Sequence, residues 1–244
     1  MDAAKVLWVT GGGSGMGRAT AERAAAAGWT IAVSGRRTEA LQATAAAIEA
    51  AGGSAIALPL DVTDASGVRA AHDAVLERFG RIDALVLSAG RNIPRRTWAD
   101  QSMAEFESVV ATNLTGVASV IDAALPSLRL TRGRVVCISS YSGWIHAPLA
   151  GIAYSASKTA VGSLCKSLND EEAEHGVQAC NLCPGDVATD FLEQRPVVPD
   201  ADARTRMLTP DDIARSVMFV LDSPAHVRID ELVISPNAAA AGAR

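Results

Sequence analysis

The 244-residue chain has only four cysteines, no block of like charge, no low-complexity tract and no internal repeat of roughly 20–50 residues. Hydrophobic residues make up 49% and charged residues 20%, so the chain can bury a substantial core, and disorder is not expected outside the termini. One domain over residues 1–244 is the default at this length. A formal net charge of -5, with no obvious basic patch, gives no indication of a nucleic-acid partner. The short polar start runs directly into Val6-Leu7-Trp8-Val9, without the apolar segment and cleavage pattern of a secretory leader. No apolar stretch reaches membrane-spanning length with suitable flanks, so the expectation is a soluble cytoplasmic protein with no membrane partner.

The cysteines are Cys137, Cys165, Cys180 and Cys183. Cys137 lies in an apolar run, and Cys180 and Cys183 are three residues apart in or just beyond another. In a strand such a pair points to opposite faces, and no further ligands accompany it, so buried thiols are expected rather than a metal or redox site.

What is present is an alternation. Apolar runs at 5–10, 29–34, 54–60, 82–87, 133–138 and 177–182 alternate with alanine-rich segments suited to helices, and Glu231 to Ser235 supplies a seventh run. This is a βαβ rhythm. It predicts an α/β Rossmann-type domain with a seven-stranded parallel sheet flanked by helices on both faces. Thr63-Asp64 and Thr209-Pro210-Asp211-Asp212 have the side-chain oxygens, early acids and first-turn proline of helix starts. The pattern weakens over 189–208, where Pro196 and Pro199 punctuate a charged segment, and a substrate-side loop is expected there. The alanine-rich tail 237–244 should be an exposed terminus.

Two motifs carry chemistry. Thr10-Gly11-Gly12-Gly13-Ser14-Gly15-Met16-Gly17 follows the first strand and opens a helix, where glycines allow close backbone approach and helix amides favour a pyrophosphate. Tyr154 and Lys158 are four residues apart, so on a helix they present a phenol and an ammonium to one spot.

The chain resembles the classical short-chain dehydrogenase/reductase family, whose Thr-Gly-x-x-x-Gly-x-Gly pattern is met by Thr10, Gly11, Gly15 and Gly17. The resemblance continues in order through Asp61-Val62, Ser88-Ala89-Gly90, Asn113, Ser140, Tyr154 with Lys158, and Pro184-Gly185 followed by Val187 and Thr189. It implies a nicotinamide cofactor. Gly11, Ser14, Gly15, Met16 and Gly17 would hold the pyrophosphate, and Asp61 and Val62 the adenine, with Ser88, Ala89 and Gly90 alongside. Ser88 replaces the family's usual Asn. Gly35 stands where an NAD-preferring site commonly has an acid, and Arg36, helped by Arg37, can pair with a 2'-phosphate through its donor fork, so NADP(H) is expected and NAD(H) is the alternative. Gly13 offers no additional donor. Pro184, Gly185, Val187 and Thr189 would line the nicotinamide side.

In the same reading Tyr154 transfers the proton, Lys158 stabilises its phenolate and binds the nicotinamide ribose, Asn113 bends a helix and joins the proton relay, and Ser140 binds the substrate oxygen. Ser140 and Tyr154 are fourteen apart, one more than is common in the family, and the extra residue is placed after Pro148; Ser139 is a structural or backup donor. A substrate wall is expected from Arg91, Asn92, Ile93, Arg95, Tyr141, Trp144, Ile145 and His146 together with residues of the 189–208 loop, where Arg91, Arg95 or Arg195 could attract an anionic substrate. The ending near Pro236 is similar to the branch of NADP-dependent carbonyl reductases and 3-hydroxy-acid or serine dehydrogenases. The function implied is reduction of a ketone or aldehyde with NADPH, reversible as oxidation of a secondary alcohol or hydroxy acid. The alternatives are an NAD-preferring dehydrogenase and a nonenzymatic cofactor-binding regulator. The resemblance also implies a homotetramer, with a homodimer next.

Overall fold

The computed structural model describes residues 4–237, and the expected tail at 238–244 lies outside them. Seven strands form one parallel sheet in the order β3-β2-β1-β4-β5-β6-β7. They are β1 Val6–Thr10, β2 Thr30–Gly35, β3 Ser54–Pro59, β4 Ala84–Leu87, β5 Arg134–Ile138, β6 Gln178–Pro184 and β7 Glu231–Ile234. Each expected run overlaps its strand, with ends shifted; β4 begins at Ala84 because Ile82 and Asp83 precede the ladder.

Between and beyond the strands lie α1 Gly15–Ala26, α2 Thr38–Ala50, α3 Ala65–Phe79, α4 Met103–Val110, α5 Gly116–Thr131, α6 Tyr141–Trp144, α7 Ile152–Glu171, α8 Ala201–Thr205 and α9 Pro210–Leu221. Strand alternation divides the core in two. Val6, Trp8, Leu85, Leu87, Val135 and Cys137 pack on one face with α3, α5 and α7. Leu7, Val9, Ala84, Val86, Val136 and Ile138 pack on the other with α1, α2 and α9. Both faces are therefore dry, which suits parallel strands made almost wholly of apolar residues. Burying each large side chain contributes about 1.5–3 kcal/mol. All four cysteines are free and buried.

The helix starts form where expected. Asp64 caps α3 by accepting from Ser66 N, and Thr209 and Asp212 form a reciprocal capping box on α9. One expectation is corrected. Met103–Thr131 is a continuous helical stretch long and apolar enough, by length and composition, to cross a membrane. Reading the sequence for uninterrupted apolar runs splits it at Asn113 and Asp122, whereas the backbone carries the helix through them. Its residues Val117, Val120, Ile121, Ala124 and Leu128 face the core.

β1 is flanked by β2 on one side and β4 on the other, so the chain reverses its winding direction there. The carboxyl ends of β1 and β4 open a crevice at this switch point, the place where such sheets bind ligands. The 189–208 segment covers the neighbouring strand ends. It carries a 3-10 turn at Asp190–Gln194 as well as α8, and its base is closed by Ala188 N donating to Leu208 O at 2.8 Å and Leu208 N to Asp186 O at 2.9 Å.

Candidate active site

The glycine turn is shaped by contacts that leave no room for side chains. Gly11 has φ +68, and a Cβ there would stand 2.8 Å from Ser88 O and Ala89 N. A Cβ at Gly17 would stand 2.4 Å from Gly11 O, so the start of α1 presses directly on the turn and presents its free amides to the crevice. The resulting groove, about 350 Å³, is lined by Gly11, Ser14, Gly15, Met16, Gly35, Arg36, Arg37, Asp61, Val62, Ser88, Ala89, Gly90 and Thr189. These residues suit a dinucleotide: glycine backbone for the pyrophosphate, Val62 and Leu41 as apolar contacts, and cations at one end.

Arg37 Nη2 donates to Ser14 Oγ at 2.7 Å, tying the start of α2 to that of α1. Arg36 makes no hydrogen bond or ion pair among the described residues and keeps its fork available at the groove edge. Asp61 Oδ1 accepts from Thr63 N at 3.0 Å and Thr63 Oγ1 at 2.8 Å. The Thr63 backbone bond chiefly, and more weakly the Arg36 charge, hold its carboxyl below the usual range. The Ser88 side chain makes no hydrogen bond among the described residues, so the tie that an Asn would supply is missing here.

The candidate reacting groups gather on α7 and just beyond the end of β5. Gly151, with φ +93, stands at the N-cap of α7, on which Tyr154 is partly exposed and Lys158 is buried. Lys158 Nζ donates to Ile138 O at 2.8 Å and lies 5.7 Å from the Tyr154 ring centroid. Burial pushes its ammonium down to about 8. Tyr154 opens onto a cavity but is enclosed by protein, and desolvation raises its phenol, opposed by a hydrogen bond with Ser140 and the charges of Arg96 and Arg195. Ser139 Oγ donates to Lys158 O at 2.9 Å, which gives Ser139 a structural tie.

Asn113 lies in a π-helical turn, Ala111–Thr115, that joins α4 to α5 within the continuous stretch. It is fully buried; its Oδ1 accepts from Arg91 N at 2.8 Å and its Nδ2 donates to Arg91 O at 2.9 Å and Ser157 Oγ at 3.2 Å. A Cβ at Gly90 would lie 3.5 Å from Asn113 Oδ1 and 3.7 Å from Lys158 Nζ, so Gly90 covers both groups thinly at the groove floor.

A second cavity, about 640 Å³, adjoins the groove and is lined by Ser140, Tyr154, Tyr141, Asn92, Arg96, Asp186, Phe191 and Arg195, among others. Pro184, Gly185 and Val187 line this cavity, and Met16, Thr189 and Phe191 line both spaces. Phe191 stands with its ring centroid 5.9 Å from that of Tyr154. The arrangement offers a groove for a dinucleotide, a cavity for a small molecule, and a phenol and a hydroxyl in the cavity wall beside their junction.

The family model described as short chain dehydrogenase matches residues 5–197. The chain belongs to the short chain dehydrogenase family. It is 31% identical over 244 residues to an uncharacterised oxidoreductase of Listeria monocytogenes, covering 96% of both chains. It is 34% identical over 242 residues to glycine betaine reductase of Emericella nidulans, where 96% of this chain corresponds to 19% of that protein. Among solved structures, an alcohol dehydrogenase of Thermococcus sibiricus complexed with 5-hydroxy-NADP superposes with TM-score 0.86 at 31% identity, covering 96% and 97% of the two chains. A 3-ketoacyl-(acyl-carrier-protein) reductase of Brucella melitensis complexed with NADH superposes with TM-score 0.87 at 25% identity, again covering 96% and 97%. The protein is therefore an oxidoreductase of this family, acting on an alcohol or ketone with a nicotinamide cofactor.

In this short chain dehydrogenase the expected substrate wall needs correction. Asn92, Tyr141 and Arg195 line the cavity, but Arg91, Ile93, Arg95, Trp144, Ile145 and His146 do not. Arg91 Nη1 is turned to Ser108 Oγ, Arg95 pairs with Glu105, and Ile93 packs with Val109 and Ala153. Local partners on α4 and α7 claim these side chains. Phe191 and Gln194 line the site from the expected 189–208 loop, and Arg96 and Asp186 line it without any signal in the sequence; all four lie in irregular segments where no period indicates which side chain faces inward.

Proposed function

We propose that the protein is an NADPH-dependent carbonyl reductase, reversible as an NADP-dependent secondary-alcohol dehydrogenase. The observation that carries this reading is the placement of Tyr154 and Ser140 on the cavity wall next to the nucleotide groove, with Lys158 buried behind them. In reduction the Tyr154 hydroxyl donates the proton to the substrate oxygen, while Ser140 Oγ hydrogen-bonds that oxygen as it gains charge. Lys158 favours the phenolate left behind and is positioned to donate to a ribose hydroxyl near Gly90. Asn113 steadies the floor beside it. A bound nicotinamide supplies or accepts the hydride. The 189–208 segment, with Phe191 over Tyr154, limits water at the cavity.

The choice of NADP(H) is supported by the unpaired Arg36 fork and by Gly35, which places no carboxylate against a 2'-phosphate. Arg36→Ala should weaken NADP(H) binding ten- to hundredfold, from losing a charge-assisted bond of about 1.5–3 kcal/mol, and leave NAD(H) binding nearly unchanged. Cofactor titrations at matched ionic strength check this; equal losses for both cofactors would favour the NAD-preferring alternative. Incubating the pure protein with NADPH or NADH and a panel of ketones and aldehydes tests the activity itself. Cofactor binding without oxidation of NADPH or NADH across a broad panel would point instead to a nonenzymatic regulator.

The reading extends to assembly as a homotetramer, with a homodimer next. Leu130 near the end of α5 and Phe219 on α9 are 88% and 61% exposed, and covering such side chains stabilises an interface by about 1.5–3 kcal/mol each. Light scattering of the cofactor-bound protein should give four times the chain mass; a monomer over a broad concentration range rejects this part.

A further inference from the structure

Arg96 is a buried cation that the reaction as described does not use. It is 9% exposed, and its guanidinium joins three irregular segments. Nε donates to Ile93 O at 2.7 Å, Nη1 to Leu149 O at 3.1 Å and Nη2 to Gln194 O at 2.8 Å. The main chain closes the same junction, with Ile152 N donating to Arg96 O at 3.2 Å. Asn92 reinforces it: its N donates to Gln194 Oε1 at 2.7 Å and its Nδ2 to Ala150 O at 2.9 Å. Gly151 permits the approach, because a Cβ there would stand 2.7 Å from Arg96 Cβ.

Three pieces of the cavity wall, from residues 91–97, 148–151 and 190–194, are thus joined at one side chain. Only a guanidinium has enough donors in a fixed fork for three separate carbonyls; a neutral amide has two N–H groups on one nitrogen. The charge comes with the fork. All three hydrogen-bonding partners are neutral oxygens, so no carboxylate among the described residues pairs with the cation, and burial lowers its basicity, with Arg195 adding to the effect. The groups acting on the Tyr154 phenol are Ser140 by a hydrogen bond, the cations Arg96, Arg195 and Lys158, and the anion Asp186. Arg195 is ion-paired with Asp186. Arg96 lines the same cavity as Tyr154 and has no anion paired with it among the described residues.

We propose that Arg96 is a positioning residue for the reaction: its fork holds the 190–194 turn, and with it Phe191, against Tyr154, while its uncompensated charge steadies the Tyr154 phenolate. This rests on Tyr154 being the proton-transfer group. The two effects separate by substitution, since Arg96→Lys keeps the charge and loses the three-way fork, and Arg96→Met loses both.

The chain contains two tyrosines, so in a Tyr141→Phe background the phenolate absorbance reports Tyr154 alone. Titrated with saturating NADP+, Arg96→Met should move the Tyr154 midpoint up by about one pH unit, a tenfold loss of phenolate at fixed pH, and Arg96→Lys by much less. Amide hydrogen exchange over 190–195 should speed up at least ~10-fold in both variants. An unchanged midpoint in Arg96→Met, or unchanged exchange in either variant, overturns the proposal. Should Arg96→Met fail to fold, exchange in Arg96→Lys decides it. Neither readout uses a substrate, so failure here leaves carbonyl reduction standing, and an inactive carbonyl panel leaves these measurements interpretable.

Discussion

Replacing Tyr154 by Phe should leave the fold and NADP(H) affinity intact and slow hydride transfer at least ~100-fold, the lower range for removing a positioned acid or base. The ring keeps its contact with Phe191, and only the hydroxyl beside Ser140 is lost. Desolvation raises the Tyr154 phenol, so the cofactor-free protein holds it protonated, the form that donates to a carbonyl. The opposite direction needs phenolate and should gain from higher pH. Single-turnover measurements of the variant, alongside direct cofactor binding, check the assignment. Near-normal transfer in Tyr154→Phe would refute a Tyr-based proton mechanism even if NADPH bound normally.

Lys158→Met should lower turnover by a similar factor and weaken cofactor binding, yet make the cofactor-free protein more stable. Burial pushes the Lys158 ammonium from 10.5 to about 8. A tenfold loss of proton affinity corresponds to about 1.4 kcal/mol, so at pH 7 the charged lysine costs the fold roughly 3 kcal/mol, and removing it also gives up a bond to Ile138 O of about 1 kcal/mol. The net gain should be roughly 2 kcal/mol. The sign follows from linkage. Between pH 8 and 10.5 the unfolded chain binds this proton and the folded chain does not, so this group makes stability rise with pH across that window, with its cost fully present below it. Lys158→Met removes that slope. Denaturant unfolding at pH 7 and pH 10 checks both statements; a variant less stable than the parent at pH 7 would show that the lysine is held without strain.

Much of the architecture was legible because its signals are local. Apolar runs at strand length alternating with helical segments imply parallel strands covered on both faces, and Gly11, Gly15 and Gly17 between β1 and α1 imply a tight turn against a helix start. Tyr154 and Lys158 are four residues apart on α7, and the helical repeat alone brings them to one side. The Asn113 irregularity was legible only through resemblance, since nothing in Ala111 to Thr115 forbids an ordinary helix; the π turn is held from outside, by Asn113 bonding to Arg91 and Ser157.

The sequence by itself determined the fold class, the order of the site motifs and the pairing of Tyr154 with Lys158, because strand alternation, glycine sterics and the helical repeat act between neighbours in the chain. Tertiary structure alone decided which arginine of the 91–96 segment reaches the cavity. Arg91, Arg95 and Arg96 lie within six residues of one another, yet Ser108 takes the first, Glu105 the second, and only Arg96 turns inward to carbonyls as distant as Leu149 and Gln194. An irregular segment has no repeat to assign its faces, so its side chains go where long-range partners satisfy them. The burial that depresses Lys158 and raises Tyr154 likewise comes from strands and loops far away in sequence, and the proposed proton transfer depends on that packing.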